Sequence, residues 1–289
     1  ILKTDILFHK IDCTDLNEMK NIFEIYKDIY ACIHFAAYKS VGESVENPHK
    51  YYKNNIGSTE VLLKCFKKNK LKNLIFSSSC SVYGIPDRLP VNESAPFKKA
   101  ESPYAETKQK CEILIEKNNC NSISLRYYNP IGSHSSCLIG DCSIDNTNNL
   151  VPIIAEVACG IRKKLIVNGN DYNTHDGTCI RDYVHVQDLA YAHVLALNYL
   201  LLNNGKFVFN VGAGHGLSVL DIVNAFEQAN NLKIDYIIGS RRKGDIDKIY
   251  SDGNKIKNIL GWTSNRTIKD ALISSWKWQK SKNQNSINT

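Results

Sequence analysis

Short apolar segments alternate with amphipathic ones along the first half of the chain, and this alternation constrains the fold more than any other feature. The segments "YACIHFAA" (30–37), "NLIFSSS" (73–79) and "SISLRYYN" (122–129) have the apolar content and length of strands in a buried sheet. Between them, residues 49–69 and 104–118 are typical of amphipathic helices. Strands and helices in alternation predict a parallel sheet with right-handed crossovers and helices on both faces.

The second half of the chain has a different organisation. From about residue 130 the alternation gives way to loops and shorter elements, which predicts a second, smaller region. Two later helices are marked by their start signals. Ser218 with Asp221, and Thr267 with Asp270, have capping-box spacing ahead of an apolar stripe.

Composition excludes several classes of protein. The 289 residues are 43% hydrophobic and 22% charged, with a mean hydropathy of -0.30. The longest apolar run, "YAHVLALNYLLL", is too short for a membrane span and contains His193 and Asn198. The net charge of +7 comes from small, separate groups of lysine and arginine, so no nucleic-acid partner is expected. The ten cysteines are scattered without a C-x-x-C pair, which favours reduced thiols in a cytoplasmic enzyme and no metal site.

The loops that follow the predicted strands are the place to expect a ligand. Open parallel sheets bind ligands at the carboxyl ends of their strands. The sequences there are "HFAAYKSVGES", "SSSCSVYG" and "YYNPIGSH", which supply small residues, hydroxyl groups, a lysine and an asparagine. Such residues suit a ligand that approaches the backbone closely. For any single loop, small residues that merely make a tight turn are an equally good explanation.

One helix start carries a candidate proton-handling pair. In "SPYAETKQK" Tyr104 and Lys108 are four residues apart, so they share one face of the predicted helix. A nearby ammonium group lowers the pKa of a phenol, which suits the tyrosine for proton transfer. The spacing alone is common, and an ordinary surface pair explains it as well.

Eight segments in a fixed order remove much of this ambiguity. They resemble the UDP-glucose 4-epimerases, which are extended short-chain dehydrogenase/reductases, from about Asp12 to near Trp278. The segments are "IHFAAYKSVGESVENPHKYYKNNIGSTEVLL", "FSSSCSVYG", "SPYAETK", "LRYYNPIGSH", "NNLVPIIAEVA", "GTCIRDYVHVQDLA", "FNVGAGHGLSVLDIV" and "RRKGD". The resemblance implies an α/β fold with a Rossmann-like, doubly wound parallel sheet and a smaller C-terminal substrate domain. It also implies a tightly bound NAD, reversible inversion at C4 of UDP-glucose and UDP-galactose, a homodimer and a cytoplasmic location.

The domain boundaries follow from the same resemblance. Residues 1–130 correspond to an NAD-binding Rossmann domain that is incomplete at its N-terminus. Residues 131–289 correspond mainly to the UDP-sugar-binding domain, with segments around 180–215 returning to the first domain.

Inversion of an alcohol centre without net oxidation explains why the implied catalytic residues are needed. Hydride leaves C4 and returns to its other face, while a base takes and restores the O4 proton. The resemblance assigns that base to Tyr104, acidified by Lys108 and by the positive nicotinamide ring. Lys108 also holds the nicotinamide ribose, and Ser79 shares the proton and steadies the 4-keto oxygen.

Further contacts are implied position by position. Adenine is expected beside Asp12 and Cys13, the pyrophosphate and ribose beside Phe35, Ala36, Ala37 and Lys39, and the nicotinamide beside Asn54 and Tyr128, in addition to Ser79, Tyr104 and Lys108. The UDP-sugar is expected beside Asn129, Asn149, Leu150, Ile166, Val167, Asn168, Arg181, Arg242, Lys243, Gly244 and Asp245, in addition to Ser79 and Tyr104.

The charges of the substrate residues suit a nucleoside diphosphate sugar. Arg181 and Arg242 suit the diphosphate because guanidinium groups bind phosphate oxygens bidentately, and Asp245 suits a ribose hydroxyl. A structural ion pair is the alternative for each arginine, for instance Arg181 with Asp182 or Asp188.

Two histidines are expected to have no role in the chemistry. His185 and His193 lack metal-ligand spacing and are expected to pack or to form hydrogen bonds.

Other reactions and substrates stay open at this point. A nucleotide-sugar 4,6-dehydratase needs an acid-base pair, usually Asp-Glu, directly after the hydroxyl residue, whereas Cys80 and Ser81 follow Ser79. The N-acetylated pair of UDP-sugars is an alternative substrate. By alignment Ile249 occupies the position where a bulky tyrosine excludes an N-acetyl group, and its intermediate size favours UDP-glucose and UDP-galactose with some tolerance.

One expected feature is missing from the sequence. No glycine-rich turn precedes "YACIHFAA", and the Gly-x-Gly cluster "VGAGHG" lies at residues 211–216. We therefore expect that a first βαβ unit of about 30 or more residues is missing. A chain of this kind would have an unpaired sheet edge, bind NAD poorly and be nearly inactive as a fragment of an epimerase. A non-catalytic binding protein is the alternative.

Overall fold

A computed structural model describes residues 6–142 and 149–287. The helices are Leu16–Ile25 (α1), Val41–Glu46 (α2), Pro48–Tyr51 (α3), Gly57–Asn69 (α4), Pro103–Glu116 (α5), Leu150–Ala158 (α6), Val186–Leu202 (α7), Val219–Asn230 (α8), Asn254–Leu260 (α9) and Ile268–Ile287 (α10). A π-helical turn at Tyr52–Ile56 joins α3 to α4, and Cys80–Tyr83 form a 3-10 turn. The strands are Ala31–His34 (β1), Asn73–Ser79 (β2), Asn121–Tyr127 (β3), Asn129–Ile131 (β4), Leu165–Asn168 (β5), Ile180–His185 (β6), Lys206–Val211 (β7), Gly216–Ser218 (β8), Tyr236–Gly239 (β9) and Lys248–Ile249 (β10).

The main sheet is parallel and has the strand order β1-β2-β3-β7. Its register places His34 beside Phe76 and Ser79 beside Tyr127, so the carboxyl ends of three strands meet at one edge. The three strands predicted from the sequence are confirmed. Within the described residues β1 pairs with β2 alone and forms one edge of the sheet.

Helices cover both faces of this sheet because the side chains of each strand alternate between two cores. Ile75 of β2 belongs to the core beneath α7 and α9, with Ile123, Phe209 and Trp262. Its neighbours Leu74 and Phe76 pack on the opposite face. That second core is formed with α1, α4 and α5 and contains Phe23, Leu62, Leu63, Phe66, Cys111 and Ile115. The predicted doubly wound α/β fold is confirmed, while the boundary at residue 130 stays a prediction.

A smaller C-terminal part is built on shorter strands. One sheet has the order β10-β6-β4 with β8 paired to β6, and a second consists of β5 and β9. Helices α6, α8 and α10 pack around the core of this part. The two predicted helix starts are confirmed. Ser218 and Asp221 exchange hydrogen bonds at the start of α8, and Thr267 and Asp270 do so before α10.

Over the described part of the chain, every helix is too short or too polar to cross a bilayer.

Candidate active site

The first turn of α5 places Tyr104 and Lys108 at the carboxyl edge of the main sheet. Ser102 caps the helix by accepting a hydrogen bond from the Ala105 N–H at 3.2 Å, and Pro103 occupies the first turn, where its missing N–H has no cost. Lys108 follows Tyr104 by about one turn, and its Nζ lies 5.9 Å from the centre of the Tyr104 ring. The ammonium is 4% exposed and donates to the carbonyl of Ser77 at 2.7 Å. The two side chains that the sequence pairs are therefore together, beside the end of β2.

Burial dominates the electrostatics of this pair. Burial raises the pKa of Tyr104 to about 12, while a hydrogen bond with Ser79 opposes that increase. Burial also lowers the pKa of Lys108 to about 8. The lowered phenol pKa that the sequence suggests therefore stays a prediction for the protein with its ligands bound.

Ser79 ends β2 and lies beside both the turn that follows and helix α5. Its Oγ accepts hydrogen bonds from the N–H of Ser81 at 3.2 Å and from the Ser81 hydroxyl at 3.0 Å. Because Ser79 also hydrogen-bonds with Tyr104, the structure brings the three predicted catalytic residues together.

The predicted cofactor residues follow the ends of β1, β2 and β3. Phe35, Ala36, Ala37 and Lys39 form the loop directly after β1, and Asn54 lies in the π-helical turn. Phe35 is 58% exposed and its ring centre is 4.9 Å from that of His193. Tyr128 follows β3 and is buried, and its hydroxyl has no partner among the described residues.

Asp12 and Cys13 precede α1. Asp12 accepts hydrogen bonds at 2.8 Å from both the N–H and the hydroxyl of Thr14, which lower the pKa of its carboxyl group. Burial raises the pKa of the neighbouring Cys13 thiol, which favours the uncharged form at neutral pH. Asp12 is exposed, whereas Cys13 is half-buried.

The predicted diphosphate residues converge on one carboxylate. Arg242 donates to Asp245 through Nη2 at 2.7 Å and through Nε at 3.2 Å. Arg181 Nη2 is 3.5 Å from the same carboxylate, and its Nη1 donates to the carbonyls of Ile180 and Ile246. The two guanidinium groups are thus gathered at one point, as a site for a diphosphate requires.

The remaining predicted substrate residues lie on several elements. Asn129 begins β4, Asn149 and Leu150 begin α6, Lys243 and Gly244 separate Arg242 from Asp245, and Ile166, Val167 and Asn168 belong to β5. Ile166 and Asn168 are exposed, whereas Val167 is 1% exposed and its side chain packs in the C-terminal core. A contact of Val167 with a ligand would therefore have to use its backbone.

The two partners named for a structural ion pair of Arg181 are wrong, although Arg181 and Arg242 both form ion pairs with Asp245. Arg181 and Asp182 are consecutive in β6, so their side chains point to opposite faces. Asp182 instead accepts hydrogen bonds from the N–H and hydroxyl of Ser251 and from the N–H groups of Ala213 and Gly214.

The other candidate partner of Arg181 is also engaged elsewhere. Asp188 pairs with Arg266. Both histidines form hydrogen bonds, as expected from the sequence. His185 accepts from the N–H of Gln187, and His193 bonds the carbonyl of Leu189.

Sequence reasoning missed two groups that support the site. Asn55 is buried and binds both the N–H and the carbonyl of Tyr38, at 2.8 and 3.0 Å, which fixes the loop after β1. Glu112 of α5 forms an ion pair with Arg126 of β3. Neither group has a sequence signature, although Glu112 continues the four-residue spacing of Tyr104 and Lys108.

Fold and site together define a short-chain dehydrogenase/reductase, with serine, tyrosine and lysine at the carboxyl edge of a Rossmann-like sheet. Residues 2–274 match the family model described as GDP-mannose 4,6 dehydratase. A curated UDP-glucose 4-epimerase of Drosophila melanogaster is 43% identical over 280 residues, which cover 94% of this chain and 79% of that protein. The human UDP-glucose 4-epimerase is 41% identical and is covered to 80% of its length. The chain belongs to the UDP-glucose 4-epimerase family.

Solved structures agree with this assignment. The Stenotrophomonas maltophila UDP-glucose 4-epimerase, with bound NAD and formylated UDP-arabinopyranose, superposes with a TM-score of 0.92 at 38% identity, covering 96% of this chain and 84% of that one. The Bifidobacterium longum enzyme, in complex with NAD+ and UDP, has a TM-score of 0.91 at 42% identity, covering 96% and 83% of the two chains.

Proposed function

We propose that this protein interconverts UDP-glucose and UDP-galactose by inverting C4 of the hexose, with NAD as its cofactor. The observation that carries the proposal is the grouping of Tyr104, Lys108 and Ser79 at the carboxyl edge of the main sheet. Relatives of known structure bind NAD and UDP-sugars, which supports the same ligands here.

The donor groups at this edge fit NAD. The Lys108 ammonium has three N–H bonds, and the Ser77 carbonyl is its one hydrogen-bond acceptor within the described residues, so two remain for ribose hydroxyls. The buried, unpaired hydroxyl of Tyr128 would be satisfied by a polar group of the ligand. The remaining contacts are proposed for Asp12, Cys13, Phe35, Ala36, Ala37, Lys39 and Asn54.

Bound NAD would accept hydride from C4 of the sugar and return it to the opposite face. Tyr104 takes the proton from the O4 hydroxyl as the C4–H bond breaks and restores it when that bond forms again. The charge of Lys108, together with the positive charge of the oxidised nicotinamide, favours the phenolate over the neutral phenol. Ser79 hydrogen-bonds with Tyr104 and stabilises the developing 4-keto oxygen.

The UDP portion of the substrate is proposed to bind across the C-terminal part. Arg181 and Arg242 exchange their bonds with Asp245 for phosphate oxygens, which frees the carboxylate for a ribose hydroxyl. The other proposed contacts are Asn129, Asn149, Leu150, Ile166, Val167, Asn168, Lys243 and Gly244. Rotation of the 4-keto sugar between the two hydride transfers needs firm anchoring of the diphosphate, which the two arginines provide.

The experiment starts from either sugar and follows the anomeric protons by NMR. Purified intact protein should convert UDP-galactose and UDP-glucose to the same equilibrium mixture, with a Tyr104→Phe preparation as the control for contaminating enzymes. A 4-keto-6-deoxy product would instead show a dehydratase and contradict the proposal. The turn after Ser79 argues against elimination, because Cys80 and Ser81 offer no acid-base pair.

The proposed setting is a homodimer in the cytoplasm. All ten cysteines fall within the described residues and are free thiols, which supports a reducing compartment. Light scattering after size exclusion would test the assembly, and a monomer at micromolar concentration would contradict the homodimer.

A further inference from the structure

Three polar side chains of α5 follow one another at intervals of four residues. Tyr104, Lys108 and Glu112 therefore line one face of the helix over its first three turns. Lys108 is 4% exposed and Glu112 is 7% exposed, so both charges are held in the protein interior.

Glu112 ties the catalytic helix to the two central strands. Its carboxylate accepts hydrogen bonds from Arg126 of β3, through Nε at 3.0 Å and Nη2 at 2.6 Å, and from the hydroxyl of Ser78 in β2. Arg126 also donates to the hydroxyl of Tyr83 at 2.9 Å, and Tyr83 donates to Asn210 of β7 at 2.7 Å. The carboxylate is thus satisfied and fixed from several sides, which a buried charge requires.

The ammonium of Lys108 lacks such compensation. Its hydrogen bond is to the neutral carbonyl of Ser77, and its other close neighbours are the rings of Phe76 and Tyr104. The titratable groups that face it are Tyr104, Cys111 and Glu112 from α5 and His34 from β1. Burial lowers the pKa of the His34 imidazole to about 4 and raises the pKa of the Cys111 thiol, so both are uncharged at neutral pH. Glu112 is then the ionised neighbour in this group that favours the ammonium.

We propose that Glu112 is a positioning residue for the epimerisation: it keeps Lys108 charged beside Tyr104, and Arg126 opposes that effect by sharing the carboxylate. The inference rests on the proposed function for its catalytic consequence, although the charge of Lys108 can be measured without any turnover. Burial lowers the pKa of Lys108 to about 8, against the opposing effects of Cys111 and Glu112, so a lost or strengthened carboxylate changes how much ammonium is present near neutral pH.

The test uses two substitutions that break the same ion pair but change the field at Lys108 in opposite directions. Glu112→Gln removes the negative charge and leaves Arg126, so the pKa of Lys108 should fall by about one unit or more. Arg126→Gln removes the positive charge and leaves Glu112, so the pKa should rise. Glu116→Gln, which changes an exposed carboxylate in the last turn of the same helix, is the matched control and should leave the pKa unchanged.

The pKa is measured from the ε-carbon NMR resonance of Lys108 in protein labelled with [13C]lysine. The resonance is assigned as the one that is absent from the spectrum of Lys108→Met. The second reading is the alkaline limb of the kcat profile. Activity that needs the ammonium is lost as pH rises through the pKa, so this limb should move to lower pH in Glu112→Gln and to higher pH in Arg126→Gln.

The outcomes separate a positioning role from a purely structural one. Opposite shifts of the resonance support the proposal, and they do so even if no epimerase activity is found, in which case only the proposed function fails. The proposal is overturned if the pKa of Lys108 shifts in the same direction in both variants. It is also overturned if that pKa does not shift, even though a lowered Tm shows that the ion pair has been broken. If Glu112→Gln does not fold, Arg126→Gln decides alone, since an unchanged or lowered pKa in that variant contradicts the opposing effect.

Discussion

At the scale of single residues, Tyr104 is where the chemistry can be tested most directly. The phenol hydrogen-bonds with Ser79 and lies one helical turn from Lys108. Tyr104→Phe removes the hydroxyl and little else, so the fold and NAD binding should persist. The loss of one acid-base group should lower kcat by a factor on the order of 10² to 10⁴. Single-turnover kinetics, with bound NAD measured after denaturation, would check both expectations.

Lys108→Met should also lower kcat, because the phenolate loses its neighbouring cation. Tyr52→Phe is a suitable control for Tyr104→Phe, because Tyr52 has no proposed catalytic role. Its hydroxyl hydrogen-bonds Glu106 of α5, the helix that also carries Tyr104. Turnover near the normal rate in Tyr104→Phe would rule out the proton-transfer role.

The size of the Ile249 side chain should determine the preference between the two pairs of UDP-sugars. Ile249 is 3% exposed and packs with Val91 and Tyr128. We expect kcat/KM to be higher for UDP-glucose and UDP-galactose than for the N-acetylated pair. Ile249→Tyr should lower turnover of the N-acetylated pair by at least about tenfold and affect the other pair less. Ile249→Leu is the volume-matched control.

Steady-state kinetics with all four nucleotide sugars would decide the question. Equal values of kcat/KM for the two pairs in the unchanged protein would remove the preference.

At the scale of elements, period and capping signals predicted the structure well. The segment "NLIFSSS" coincides with β2, and residues 49–69 fall within the continuous helical stretch from α3 to α4. The π-helical turn at Tyr52–Ile56 was not predicted. The short strands β4, β8 and β10 were also missed, because they have two or three residues each and their pairing is set by distant segments.

The cap of α10 offers a prediction that should affect stability alone. Thr267 and Asp270 form reciprocal hydrogen bonds at 2.9 and 3.1 Å, on the exposed surface and away from the proposed site. Thr267→Ala should lower the free energy of unfolding by about 1 kcal/mol. Thr267→Ser keeps the hydroxyl and should stay within a few tenths of the original value. Urea denaturation of both variants would measure the difference, and an unchanged kcat would show that the effect is confined to the helix.

At the scale of the whole molecule, the site is assembled from segments far apart in the sequence. Tyr104, Lys108 and Ser79 could be found because one helix start and one strand end carry recognisable patterns. The pairing of Arg181 with Asp245 spans 64 positions and depends on β6 and β10 lying side by side. No local sequence pattern predicts that pairing, and the nearest carboxylate in sequence, Asp182, lies on the opposite face of β6.

Asp182 of β6 connects that strand to the residues that follow β7 and to Ser251 beside β10. Its buried carboxylate accepts four hydrogen bonds at 2.6 to 3.1 Å, from Ser251 next to β10 and from Ala213 and Gly214 after β7. Asp182→Asn places an amide donor where the protein already presents donors, which should cost about 2 to 3 kcal/mol of folding free energy. Because Arg181 precedes Asp182 in β6, the same change should loosen the diphosphate site.

We therefore expect Asp182→Asn to raise KM for the UDP-sugar more than it lowers kcat, since Tyr104 and Lys108 lie on a separate element. Asp87→Asn is the control, because that carboxylate is 70% exposed and pairs only with Lys98 among the ion pairs of the described residues. Thermal denaturation and initial-rate kinetics on both variants would test the expectation. A variant with unchanged KM and lowered kcat would show that the three segments serve the proton-transfer site instead of the substrate site.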